Sequence, residues 1–185
     1  MTRVMSGAAG ILAAALVVTV ASARRNAQGA TINRRTLLTF RAPVQVPGAT
    51  LPAGTYVFRA ANPSAQTVWQ VLDANERHVL AQFFIVRTGD RTIHEQNRLQ
   101  DKPVVRFHET PQGVAPPMKA LYYLTDAAGH MFLYPRAQAE QIAAITHQPV
   151  LATDSDPAKS RLARVTTIQP ADATPQAVES AKQSR

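Results

Sequence analysis

Between residues 36 and 134 apolar and polar residues alternate with a period of two, in short runs broken by turn-forming residues. This pattern constrains the fold most, because a period of two turns one face of each run toward a core and the other outward. The runs are Thr36–Val46, Thr55–Ala60, Val68–Leu72, His78–Arg87, Val104–Glu109, Ala120–Thr125 and His130–Tyr134. β-Branched and aromatic residues dominate them. Pro47-Gly48, Asn62-Pro63-Ser64, Asp73-Ala74-Asn75, Gln112-Gly113 and Asp126 to Gly129 supply the reversals between them. About seven strands at hairpin spacing predict an all-β fold, an antiparallel sandwich or small barrel. His78–Arg87 is apolar on both faces, which predicts a central strand. Arg106 and His108 are expected to put one face of Val104–Glu109 in water.

After Tyr134 the period changes to that of a helix. Pro135 suits its first position, Ala139, Ile142, Ala143 and Ile145 form an apolar stripe, and Gln148-Pro149 ends it. One short C-terminal helix packed on the sheet is therefore expected. From Ala152 the chain is poor in aromatics and rich in Ala, Asp, Thr, Gln and Pro. Residues 152–185 read as a disordered tail, with a weak strand at Leu162–Ile168.

The N-terminus reads as an address. Arg3 precedes an uncharged run from Val4 to Ala23 that ends in Ala21-Ser22-Ala23, the layout of a secretory signal peptide. Cleavage is expected after Ala23 or after Gly29. The reading is thus signal peptide 1–29, linker 30–35, domain 36–151 and tail, with a periplasmic or secreted location. The alternative is an uncleaved membrane anchor, since about 20 uncharged residues can span a bilayer.

The formal charge of +8 does not gather into a face. Between residues 36 and 150 there are ten Lys and Arg against eight Asp and Glu, while Arg24, Arg25, Arg34 and Arg35 crowd the N-terminus. No clustered basic surface suited to phosphate contacts follows, so no nucleic-acid partner is expected. The chain has no cysteine, which excludes disulfides, thiolate metal sites and a cysteine nucleophile. Ser64, in a turn, is the only serine between residues 36 and 150, leaving little for serine catalysis. His78, His94, His108, His130 and His147 are widely spaced without a paired ligand motif, so neither a metal nor a cofactor is expected. Glu95, Asp101 and Glu109, with His108, are the residues a hydrolase around the 90–109 loop would use. Trp69, Phe84, Tyr122 and Tyr123 are the candidate ligand-binding residues, as an aromatic platform on an open strand face.

TLLTFRAPVQVPGATLPAGTYVFRA, VWQVLDANERHVLAQFF, VVRFHE and LYPRAQAEQIAAITHQPVL together resemble a family of small exported bacterial proteins without an assigned reaction. The resemblance covers residues 36 to 151 and implies architecture and export but no site residues. LPAGTY alone also resembles an element of prealbumin-like modules, where it makes a hairpin. The functional expectation is an exported, non-enzymatic interaction module whose partner is a protein or glycan of the cell envelope.

Overall fold

The computed structural model describes residues 19–21, 35–62, 65–88, 103–123 and 128–172. Most of the expected signal peptide, the polar loop with His94, Glu95 and Asp101, and the last thirteen residues lie outside that set. The first strands are β1 (Thr19–Ala21), β2 (Arg35–Phe40), β3 (Val44–Val46), β4 (Ala49–Leu51), β5 (Gly54–Asn62) and β6 (Ala65–Asp73). They are followed by β7 (Val79–Thr88), β8 (Val104–Phe107), β9 (Met118–Tyr122), β10 (Gly129–Phe132) and β11 (Tyr134–Pro135). Helix α1 (Arg136–Thr146), β12 (Val150–Thr153) and β13 (Thr166–Ile168) complete the body.

The fold is all-β, with one α-helix among the described residues. Eight strands form one antiparallel sheet in the order β1-β2-β5-β6-β7-β10-β9-β8, and β7 is central as its two apolar faces predict. Cross-strand partners carry the inner layer: Leu38 opposes Tyr56, Phe58 opposes Val71, Trp69 opposes Phe83, and Ile85 opposes Phe132. The sheet curls until its two ends meet through side chains. Thr36 Oγ1 hydrogen-bonds the Tyr123 hydroxyl at 2.8 Å, and the rings of Phe40 and Phe107 meet edge-on at 6.4 Å. Ala139, Ile142 and Ala143 of α1, the β3–β4 ribbon and β12–β13 fill the open side of this half-barrel. Tyr134, fully buried, donates its hydroxyl to the Met118 carbonyl at 2.7 Å and ties the helix entry to β9.

Several elements differ from the sequence reading. The run Thr36–Val46 is two strands in two sheets, because the chain leaves the large sheet at Arg41–Pro43 to form the β3–β4 ribbon. LPAGTY is a corner and not a hairpin, since β4 pairs with β3 whereas β5 pairs with β2 and β6. Tyr56 locks that corner by donating its hydroxyl to the Pro52 carbonyl at 2.9 Å. Gly54 is not at positive φ; that conformation is needed at Gly48, in the β3–β4 turn, and at Gly113. Tyr56→Phe is expected to cost about 1 kcal/mol in urea unfolding by removing this one hydrogen bond. A variant as stable as the parent would show that the corner is held by packing alone.

His108 is buried and not in water, a correction with a local cause. The alternation holds to Phe107, where β8 ends opposite a bulge that leaves Lys119 of β9 unpaired, and the chain then turns so that the His108 N–H donates to the Pro117 carbonyl at 2.8 Å. The domain also runs past residue 151. β12 continues to Thr153 and pairs with β11 on one side and β13 on the other, with Ala152 and Ile168 in the core. Of the weak strand expected at Leu162–Ile168, only Thr166–Ile168 is extended into a sheet. The helix begins at Arg136 with Pro135 as N-cap and stops at His147, whose φ of 52° and N–H bond to Ala143 form a left-handed cap. Ile145, expected in its apolar stripe, is exposed.

Candidate functional site

The segment after β12 is polar, yet it crosses the outer face of β6 and β7 and builds a groove there. Phe84 points to that face because Phe83 and Ile85 point inward, and it packs with Val68 and Leu133 beneath Ala163 and Leu151. Two side chains of the sheet hold the crossing chain by its backbone. Gln82 Nε2 donates to the Pro157 carbonyl at 3.0 Å, and Thr67 Oγ1 to the Arg161 carbonyl at 3.2 Å. Gln70 fixes the Gln82 amide by donating to its Oε1 at 2.8 Å.

On one side of the Gln82–Pro157 bridge lies an open cavity of about 400 Å³. Phe84, Leu133, Pro47 and Pro135 contribute its apolar lining, and Arg136, Asp154 and Asp156 stand among its polar residues. On the other side a cavity of about 280 Å³ runs to Asn62, Lys159 and Arg161. The β3–β4 turn is fixed as one wall: Gln138 accepts from the Gly48 N–H at 2.8 Å and donates to the Val46 carbonyl at 3.0 Å. Arg136 meets Asp154 through Nε and Nη2 at 3.0 and 3.1 Å. That hydrogen bond holds the Asp154 carboxyl below its usual range and raises the guanidinium. Asp156 is also lowered, chiefly by the Ala158 N–H, with Lys159 adding a hydrogen bond and its charge.

The four aromatic candidates do not meet in one place. Trp69 and Phe84 are both enclosed, at 0% and 1% exposure, on opposite faces of the sheet. Trp69 lies 6.1 Å from the ring of Tyr123 and 5.2 Å from that of His130, inside the curl. Tyr122 is half-buried and lies over Gly129, where an added Cβ would fall 2.1 Å from the ring. Of the four, Phe84 lines the groove. The groove was not legible in the sequence because its walls come from four separate stretches, and no local motif links Gly48, Gln82, Arg136 and Asp156.

The titratable candidates are dispersed. His78 is exposed and bonds Asp73 at 3.0 Å in the β6–β7 turn, which lowers the Asp73 carboxyl. His147 caps the helix, Glu109 is exposed, and His130 is buried beside Trp69. Burial drives His108 down to about 4, helped by the Lys119 charge and opposed by a hydrogen bond with Gln148. No group of three or more His, Asp or Glu side chains among the described residues is arranged to hold a metal.

Fold and groove together define a half-barrel all-β protein with a helix across its open side and a composite groove on its outer face. No family model, curated protein or solved structure matches the chain.

Proposed function

We propose that this chain is exported, cleaved after Ala23 or Gly29, and acts as a non-catalytic binding module for a protein or glycan of the cell envelope. The observation that carries the reading is the groove of about 400 Å³ beside the Gln82–Pro157 bridge. Its apolar lining offers contact area, and its rim offers amide and paired ionic groups that orient a ligand. Asp154 and Asp156 are held below the usual carboxylate range, opposite to what a general acid requires. They suit recognition better than hydrolysis.

Export rests on the Arg3, uncharged run and Ala21-Ser22-Ala23 order. β1 adds support against the anchor alternative. With Thr19–Ala21 extended on β2, the uncharged run from Val4 keeps 15 residues before the strand. That is about 22 Å of helix against a hydrocarbon core of about 30 Å. An intact mass beginning at Arg24 or Ala30 in the periplasmic or secreted fraction is the expected result, and a full-length mass in membranes would reverse it.

The groove is tested by crosslinking in periplasmic and peptidoglycan fractions with the parent and with a Gln82→Ala, Arg136→Ala double variant. The parent should retain a defined component that the variant loses, while the variant's melting temperature stays within about 5 °C. Equal recovery by both, or none by the parent, would overturn the reading.

A further inference from the structure

β1 occupies a place in the fold that export would vacate. Its three residues pair antiparallel with β2, Thr19 opposite Thr39, Val20 opposite Leu38 and Ala21 opposite Leu37. They lie on the edge that β5 leaves free, and that edge sits at the seam of the curled sheet. Just inside the seam, Thr36 reaches Tyr123 and Phe40 reaches Phe107, one residue to either side of the triplet that pairs with β1. The seam is therefore closed by side chains above and below positions 37–39. β1 pairs with those positions on the side that β5 does not occupy. Cleavage after Ala23 or Gly29 removes β1 and leaves β2 as an open edge, which sheets do not leave without consequence.

We propose that in the exported chain the β2 edge takes an extended strand from a partner polypeptide, in the antiparallel register that β1 shows. This rests on the cleaved-export reading and names a mode of binding for it. The chemistry of the partner follows from the register. Its central triplet has small, uncharged residues of the Thr-Val-Ala kind and no proline, because main-chain hydrogen bonds supply the affinity. Arg41 is exposed at the bend just past β2, and the register extended by two positions brings it toward the place two before the triplet. An acidic residue there is matched to Arg41. A second copy of β2 is matched poorly: pairing centred on Leu38 sets Arg35 of each copy against Arg41 of the other.

The probe is a seven-residue peptide spanning positions 17–23 with Val17→Asp, added to the chain from residue 24 onward, which retains every strand except β1. Among Leu37 to Thr39, amide exchange at the N–H groups that face the free edge should slow by about 10-fold or more at saturation. Val20→Pro in the peptide should abolish the effect. Val17→Lys should weaken binding by about 2- to 5-fold, a preference that Arg41→Glu reverses. The full chain, with β1 in place, should not respond, whereas the full chain carrying Val20→Pro should. This last variant serves as a second host if the shortened chain does not fold. Unchanged exchange at 37–39 in both hosts, or equal binding of the proline peptide, would overturn the proposal. Protection of 37–39 without peptide that is lost on dilution would also overturn it, by making a second copy the occupant. Failure of export is read separately, by the intact mass, and leaves the peptide result standing as a property of the edge.

Discussion

Trp69→Ala is expected to lower the unfolding free energy by about 3–5 kcal/mol. A domain of this size has about 5–15 kcal/mol in total, so the loss takes a large share of its stability. Trp69 has 0% exposure, opposes Phe83 on β7 and Ala60 on β5, and has the rings of Tyr123 and His130 within about 6 Å. Truncation removes apolar area that the neighbours cannot recover, because the surrounding strands are fixed by their ladders on both sides of β6. Thermal unfolding followed by far-UV circular dichroism checks the size of the effect. Trp69→Phe, which refills most of the space, should return more than half of the loss. A variant with unchanged melting temperature but lost envelope binding would mean that the ring serves a ligand and not the core.

The same residue shows what alternation in a sequence does and does not reveal. Period two puts Phe83 and Ile85 on a common face of their strand, but which face Trp69 shares is set by cross-strand register, which pairs it with Phe83 and not with Phe84. The reading that β7 is buried on both faces was also legible, but what buries its second face was not. Phe84 is covered by residues that follow β12, a stretch whose Ala, Asp, Thr and Pro content reads as disorder. That stretch is held by main-chain hydrogen bonds to Gln82 and Thr67 and by Ile168 pairing opposite Val150. Composition is nearly blind to main-chain bonding, and two or three buried anchors do not raise the mean hydropathy of a polar segment. The groove inherits this blindness because the segment forms one of its walls.

Strand ends are a second limit, and His108 is their consequence. Strict alternation puts His108 beside Arg106, on the wet face, but β8 ends at Phe107 and the chain turns there, its His108 N–H bonding the Pro117 carbonyl. The imidazole is 4% exposed, with Lys119 near enough to oppose its charge and Gln148 as its side-chain partner. Its Nδ1 meets no hydrogen-bond partner among the described residues. A neutral ring tolerates that setting and an imidazolium does not.

Acid should therefore weaken the fold through this one residue. Above about pH 6.5 the ring is neutral in both folded and unfolded chains and contributes no slope. Between 6.5 and about 4 the unfolded chain takes up a proton that the folded chain refuses, so stability falls as the pH drops. Below about 4 the folded chain is protonated as well, and the loss stops growing. The full depression from 6.5 to about 4 corresponds to about 3 kcal/mol. Urea unfolding of the parent and of His108→Leu across pH 7.5 to 4 isolates the residue from the acids that titrate below. The leucine variant is neutral throughout and should lose less stability than the parent, the gap widening by about 3 kcal/mol over that range. A gap that stays constant with pH would place His108 in water, and with it would fall the inward turn of the chain after β8.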